Sequence, residues 1–130
     1  MERKKDKISG LIGLAARAGA LTYGARVTRE EFDRGRIKLI ILSSDCAAKT
    51  KKEVEYFTDG RVPVIAAAFE GETAASLTGR PGRLSVIGVT DRNFARGMNE
   101  KNDNENNNEN NNGKKNEESI NPGGENSGDN

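Results

Sequence analysis

Arginines stand beside glycines at two places in this sequence, and this combination favours the binding of an anion. Arg26 and Arg29 follow Gly24 and Ala25 at the expected start of a helix, and a second group forms the loop Gly79-Arg80-Pro81-Gly82-Arg83. Glycine allows a backbone to approach a ligand closely, and the first amide groups of a helix attract anions. We therefore predict that both segments face a partner rich in phosphate groups.

The helix arginines also have carboxylates within reach along the same helix. Glu30 lies four positions after Arg26, and Asp33 lies four positions after Arg29. Side chains at that spacing are neighbours on a helix surface, so opposite charges can pair there. We expect these pairs in the free protein and contact with phosphate when a partner binds.

The run from Arg36 to Asp45, RIKLIILSSD, predicts an interior strand. Its five aliphatic residues between positions 37 and 42 leave no polar face, which is typical of a strand covered by helices on both sides. Ser44 or Asp45 is expected to cap the lysine-rich helix that follows. Ligands of open α/β sheets collect outside the carboxyl ends of strands, so the loop after this strand is expected to face a polar ligand.

Charge and composition divide the chain at Asn99. The formal net charge is +1 over 130 residues, but residues 1–98 carry 18 Lys and Arg against 12 Asp and Glu, whereas residues 99–130 carry 3 against 8. Ile120 is the only aliphatic residue after position 98, so that segment cannot offset its ordering entropy by burial. We predict a basic domain at residues 5–98, which suggests a polyanionic partner, and a disordered asparagine-rich acidic tail at residues 99–130.

No catalytic or metal site is predicted. Histidine is absent and Cys46 is the single cysteine, so there is neither a thiol with a histidine base nor an internal disulfide. Cys46 is expected to be half-buried at a helix start, where a thiol pKa can be lowered. The glycine-rich stretches match no phosphate loop or dinucleotide fingerprint. Half of a calcium loop at residues 108–113 is interpreted as chance in an asparagine-rich tract.

The amino-terminal segment predicts an amphipathic helix. Ile8, Leu11, Ile12 and Ala15 recur at helical spacing, which indicates one face packed on a core. Arg17 interrupts the apolar run, and no segment is long enough for a membrane helix. We expect a cytoplasmic protein that does not contact a membrane.

Helical and strand patterns alternate along the expected domain. Helices are predicted at about 5–18, 25–34, 47–57 and 72–77, with a last helix from a cap at Thr90 or Asp91 to about Gly97. In the second helix, Val27, Thr28 and Phe32 are expected to face the core. Strands are predicted at about 21–23, 37–42, 62–66 and 84–89, the third at an edge because Pro63 lacks a backbone donor. The alternation predicts a three-layer α/β/α sandwich.

These elements carry motifs that resemble a known family. The segments are GALTYGARVTREEFDRGRIKLIILSSD at 19–45, VPVI at 62–65 and RLSVIGVTDRNFARG at 83–97. Residues 8–98 resemble the kink-turn-binding ribosomal protein superfamily, the archaeal L7Ae and L30e group. Within that group, LIGLAARAGAL and VTDRNFA are similar to the bacterial YlxQ-like branch. The resemblance implies an RNA-binding protein with a four-stranded mixed sheet and no enzymatic activity.

The resemblance also implies where RNA would bind. In the family, a Gly-x-Asn-Glu stretch at the start of the second helix enters the RNA groove, and a lysine three positions later supports it. Gly24 matches the glycine, while Arg26, Val27 and Glu30 stand at the positions of the asparagine, glutamate and lysine. Arginine can donate to guanine but cannot accept, and valine can do neither. A loop before the last strand covers bulged nucleotides in the family, and residues 79–83 match it here.

The implied RNA face lies at one end of the fold, and the molecule is expected to be a monomer. The residues assigned to this face are Gly24, Ala25, Arg26, Arg29, Lys38, Arg80 and Arg83. The expected partner is structured, kink-turn-like RNA, with ribosomal RNA as one candidate. The alternative is a protein-interaction module of the translation or ribosome-assembly machinery that binds RNA weakly.

Overall fold

The computed structural model describes the backbone of residues 8–113 and the side chains of residues 8–102. Helices and strands alternate through this range as predicted. The elements, in chain order, are α1 (Ser9–Arg17), β1 (Leu21–Tyr23), α2 (Ala25–Asp33), β2 (Leu39–Leu42), α3 (Ala48–Thr58), β3 (Val64–Ala66), α4 (Gly71–Thr78), β4 (Val86–Val89) and α5 (Arg92–Gly113).

The strands form one mixed sheet in the order β1-β4-β2-β3. β4 runs antiparallel to both β1 and β2, while β2 and β3 are parallel. The interior position of β2 and the edge position of β3 are confirmed, and Pro63 lies just before β3. β1, β2 and β3 therefore end at the same edge of the sheet, where β4 begins. We call this end of the strands the carboxyl edge. The opposite end of the strands, where β2 and β3 begin, is called the amino edge.

Two hydrophobic clusters fill the spaces between the sheet and its helices. Leu39 and Ile41 of β2 belong to the cluster under α1, α4 and α5, whereas Ile40 and Leu42 belong to the cluster under α2 and α3. Alternate residues of a strand point to opposite faces, so an all-apolar strand requires cover on both sides. The three-layer α/β/α sandwich is confirmed.

The first helix packs on the core by one face, as predicted. Ile8, Ile12 and Ala15 are buried there, and Leu11 packs against them from a partly buried position. Within residues 8–113, no helix is both long enough and apolar enough to cross a membrane.

Val27 differs from its expected place in α2. The prediction that it faces the core is wrong, because 37% of its surface is exposed. The neighbouring Thr28 is fully buried, and its hydroxyl lies 2.8 Å from the hydroxyl of Thr22 in β1. Thr28 thus faces the sheet, with Ala25 and Phe32 of the same helix packed against the core, and Val27 lies at the surface of the first turn.

The last helix begins as predicted but ends later. Asp91 accepts a hydrogen bond from the Phe94 amide at 3.0 Å and so caps α5. The expected end near Gly97 is wrong, because α5 continues to Gly113. Residues 99–112 contain neither glycine nor proline, the residues that most often end a helix. The boundary at residue 99 between a basic domain and a disordered tail remains a prediction. Residues 114–130 of that tail lie outside the described part of the chain.

Candidate functional site

The start of α2 lies at the carboxyl edge and is not capped by a side chain. Gly24 precedes the helix with φ 93° and ψ 155°, a backbone conformation that favours glycine. Its amide donates to the Val86 carbonyl at 2.9 Å, which fixes the helix start against β4. The first amides of a helix lack acceptors within the helix. In α2, these amides form a site suited to an anion.

The loop between α4 and β4 crosses the same edge. Gly79 and Gly82 both have positive φ values, 73° and 77°, which turn the chain out of α4 and towards β4. The Arg80 guanidinium carbon lies 4.3 Å from the centre of the Tyr23 ring, at the end of β1. Cation–π contact holds the guanidinium beside the residue that precedes Gly24. The basic loop therefore meets the sheet at the residue directly before Gly24 and the start of α2.

Asp45 joins this loop to two other segments. Its carboxylate pairs with Arg83, accepts from the Ser43 hydroxyl at 2.8 Å and accepts from the Gly71 amide at 2.9 Å. The Ser43 hydrogen bond, followed by the Gly71 hydrogen bond and the Arg83 charge, lowers the pKa of the carboxyl below its ordinary value.

The expectation that Ser44 or Asp45 caps α3 is wrong. No side chain caps α3, which begins after Ala47, while Asp45 binds the first amide of α4. Asp45 lies within a turn in which the Cys46 amide donates to the Ser43 carbonyl at 3.1 Å, and this turn precedes α3.

Arg26 and Arg29 have different partners along α2. Arg26 pairs with Glu30 at 2.9 Å, as predicted, and the two side chains are 80% and 50% exposed. Exposed pairs of this kind contribute about 0.3–0.5 kcal/mol, so a phosphate can readily replace the carboxylate. The predicted pair of Arg29 with Asp33 is not formed. The Arg29 guanidinium instead lies 5.4 Å from the centre of the Phe57 ring of α3.

Lys38 is separated from the other predicted site residues. It precedes β2 at the amino edge, where its amide donates to the Val89 carbonyl at 2.7 Å. Five residues along a strand separate it from Ser43 at the carboxyl edge, a distance of about 16 Å. The expectation that Lys38 clusters with Arg26 and Arg80 is therefore wrong. The contact of Lys38 with RNA remains a prediction.

The pKa of the Cys46 thiol is raised. The thiol is half-buried, as predicted, but burial and then the negative charge of Asp45 raise its pKa. Among the residues that the structure describes, no group of histidine, cysteine and acidic side chains could hold a metal ion.

Sequence reasoning missed two members of this site. Tyr23 supports Arg80, and Asp45 holds Arg83, but neither was assigned to the site from the sequence. A local signal existed only for Tyr23, which is the aromatic residue directly before Gly24. Two of the three partners of Asp45, Gly71 and Arg83, lie 26 and 38 residues away along the chain, so no spacing pattern indicates them.

Comparison with known proteins connects this geometry with a family. Residues 6–98 match the model of the ribosomal protein L7Ae/L30e/S12e/Gadd45 family. The RNA-binding protein YlxQ of Enterococcus faecium is 31% identical over 103 residues, which cover 76% of this chain and 94% of that protein. The large ribosomal subunit protein eL30 of Trypanosoma brucei brucei is 27% identical over 92 residues, covering 70% and 88%.

Solved structures have the same fold. A protein of unknown function from Bacillus halodurans superposes with a TM-score of 0.69 at 32% identity, covering 75% of this chain and 97% of that one. The 15.5 kD RNA-binding protein of Giardia lamblia superposes with a TM-score of 0.65, covering 81% and 92%, and its 16% identity supports the fold alone. The chain belongs to the ribosomal protein L7Ae/L30e/S12e/Gadd45 family.

Proposed function

We propose that this protein is a non-catalytic RNA-binding protein of a ribosomal or other ribonucleoprotein particle, and that it binds structured RNA at the carboxyl edge of its sheet. The observation that carries the proposal is the start of α2, which lacks a side-chain cap and has Arg80 stacked on Tyr23 beside it. Helix amides and an oriented guanidinium together suit phosphate oxygens.

The cations at this edge differ in how readily they can bind phosphate. Within residues 8–102, Arg80 has no carboxylate partner, and its stacking on Tyr23 already limits its rotamers. Arg26 and Arg83 have carboxylate partners but remain mostly exposed. RNA binding would thus begin with Arg80 and the α2 amides, and Arg26 would exchange Glu30 for phosphate. The known relatives named for RNA binding or as ribosomal proteins support the same ligand class.

The finer proposal concerns kink-turn-like RNA. Arg26, Val27 and Glu30 are all exposed on the first turns of α2, at the positions where the family reads sheared G·A pairs. Arg26 supplies hydrogen-bond donors and Val27 an apolar surface. The Glu30 carboxylate is an acceptor and repels phosphate. Contacts to the RNA backbone position a protein without reading sequence. We therefore propose recognition of kink-turn-like shape, with weaker base selectivity than the family's Asn-Glu-Lys set would provide.

A gel shift across a range of salt concentrations tests this proposal with a kink-turn RNA and a duplex of equal length. Binding should weaken steeply with salt because phosphate contacts release counterions. Arg80→Gln should weaken binding, whereas Arg17→Gln, an equal charge change at the last turn of α1, should have a small effect. Salt-independent binding, or equal effects of the two substitutions, would contradict RNA binding at this edge.

A second candidate is a protein-interaction module, because α3 presents an unusually exposed aromatic residue. The Tyr56 side chain is 83% exposed and borders a groove with Arg29 and Asp33 of α2. Exposed tyrosines are frequent anchors of protein interfaces. Tyr56→Ser should leave RNA binding unchanged and should reduce association with ribosomes in cell extract if this face binds a protein. Unchanged ribosome association would remove the support for this candidate.

A further inference from the structure

A second group of cations lies at the amino edge, across the sheet from the proposed RNA site. The first three turns of α5 and the segments that precede β2 and β3 enclose a groove of about 480 Å³. Arg92, Arg96 and Asn99 line it from α5, with the spacing expected for one face of a helix. Lys38 lines it from the segment before β2 and Arg61 from the segment before β3. We call this the amino-edge groove.

The four cations of this groove are available for a ligand. Arg61, Arg92 and Arg96 are exposed, and Lys38 is partly exposed. Within residues 8–102, none of them forms an ion pair. The neighbouring arginines differ, since Arg34 and Arg36 both pair with Glu31 at 2.9 and 3.1 Å.

Weaker contacts hold three of these cations near the groove. The Arg61 guanidinium carbon lies 5.1 Å from the centre of the Phe32 ring. The Lys38 ammonium lies 3.4 Å from the Gly35 carbonyl, and Arg96 lies 3.5 Å from the Asn93 amide oxygen. None of these contacts neutralises a charge. Like charges that line one groove repel each other, and a ligand with several negative charges relieves that repulsion.

The distribution of the cations favours a repeating phosphate backbone over one small anion. Arg92 and Arg96 lie on one face of α5, and Lys38 and Arg61 come from two other segments, so the positive charge is spread along the groove. Pro63 is exposed between them and offers an apolar surface to a sugar, while the buried residues Ile37 and Ala95 form the floor of the groove. An arginine guanidinium can donate two parallel hydrogen bonds to phosphate oxygens. Contacts to phosphate and sugar together position a nucleic acid on a protein.

The position of the groove determines what a second RNA contact would do. β2 separates the amino-edge groove from the start of α2 and the basic loop. The start of α2 follows the end of β1, and Arg92 follows the end of β4, so the two surfaces lie at opposite ends of the strands. A ligand bound at one edge therefore leaves the other edge accessible.

We propose that the amino-edge groove binds the phosphate backbone of a second RNA segment, so that one protein molecule holds two RNA segments at opposite edges of its sheet. This inference goes beyond the proposed function and shares with it only the class of ligand. The bridging of two segments requires both sites, whereas RNA binding in the groove requires only the groove.

Fluorescence anisotropy of the full chain with an RNA duplex of about 20 base pairs provides the first test. The double variant Arg92→Gln, Arg96→Gln should weaken duplex binding at least about tenfold and reduce the dependence of log affinity on log salt by about two. Lys51→Gln, Lys52→Gln is the matched control, because it removes two exposed positive charges from α3. Equal effects of the two double variants would overturn the proposal and leave the groove to a protein partner.

A capture experiment tests bridging. Kink-turn RNA is immobilised and loaded with protein, and the amount of labelled duplex that the bound protein captures is measured. The wild-type chain should capture duplex, and Arg92→Gln, Arg96→Gln should remain on the immobilised RNA but capture at least about tenfold less. Undiminished capture, or none by the wild type, would overturn bridging. Failure of the proposed carboxyl-edge site has a different signature. In that case Arg80→Gln, Arg83→Gln would bind both RNAs normally, while the groove variant would still lose duplex binding.

Discussion

Arg83 and Asp45 form an ion pair across 38 residues of sequence, and this pair fastens the basic loop before β4 to the end of β2. The same carboxylate binds the first amide of α4 through Gly71. One acidic side chain thus holds the loop, a strand end and a helix start at the carboxyl edge. Arg83 is therefore held at this edge by its pair with Asp45.

Replacement of Asp45 should reduce stability in a pH-dependent manner. The pKa of this carboxyl is lowered in the folded protein, first by Ser43 and then by Gly71 and Arg83. Its stabilising contribution is therefore present above the ordinary value of 3.8 and is lost as pH falls through the lower folded pKa. We predict that Asp45→Asn lowers the Tm at neutral pH and that the difference from wild type shrinks below about pH 3.8.

Thermal denaturation at several pH values measures this effect. Asp33→Asn, which removes an exposed carboxylate from α2, is the control and should change the Tm little. A difference between wild type and Asp45→Asn that is the same at pH 7 and pH 3 would contradict a role for the ionised carboxylate.

Loss of the Arg26 side chain should weaken RNA binding. Arg26→Ala is expected to cost roughly 1–3 kcal/mol if the guanidinium reads guanine, and less if it contacts only phosphate. Arg34→Ala is the matched control, because Arg34 also forms an exposed 2.9 Å pair with a glutamate, but at the other end of α2. Equal binding of RNA by both variants and the wild type would show that the start of α2 does not touch RNA.

Restoration of the family's side chains should increase selectivity. The triple variant Arg26→Asn, Val27→Glu, Glu30→Lys supplies both donors and acceptors for sheared G·A edges and leaves the net charge of these three positions at zero. All three positions are exposed, so the fold should tolerate the changes. We predict a larger ratio of kink-turn to duplex affinity in competition gel shifts, and an unchanged ratio would contradict kink-turn docking at α2.

Close packing behind the start of α2 should make Gly88 sensitive to substitution. A Cβ atom at this position of β4 would clash with the Thr22 hydroxyl and lie 2.9 Å from the Thr28 methyl. We predict that Gly88→Ala destabilises the protein by about 1–3 kcal/mol in urea denaturation. Gly10→Ala in α1 meets no atom within 4 Å and should be neutral or stabilising by about 0.5–1 kcal/mol. Similar effects of the two alanines would argue against tight packing around Gly88.

Truncation after Asn102, four residues past the predicted limit of the basic domain at residue 98, tests whether the following segment contributes to the fold. The removed residues, 103–130, include Ile120 as their only aliphatic residue and carry seven acids against two lysines. Their loss should leave the Tm nearly unchanged, and RNA affinity should stay level or rise because negative charge is removed. A Tm lower by several degrees would mean that the folded unit extends beyond this point.

Local sequence was sufficient for features that depend on neighbouring residues. The all-apolar run at 37–42 indicates a strand covered on both faces, and Asp91 is positioned to cap a helix that follows it. Gly24 marks the start of α2 because few other residues adopt its positive φ. The basic composition of residues 1–98 likewise indicates a polyanionic partner without knowledge of the fold.

The tertiary structure decided which of these residues meet. Strand order and direction placed Lys38 at the amino edge beside Arg61 and Arg92, although it is close in sequence to Arg29. The same arrangement gave Asp45 partners in α4 and before β4 instead of in the adjacent α3. Propensity and periodicity describe short windows of the chain, whereas these contacts depend on how the strands pair and which way each one runs.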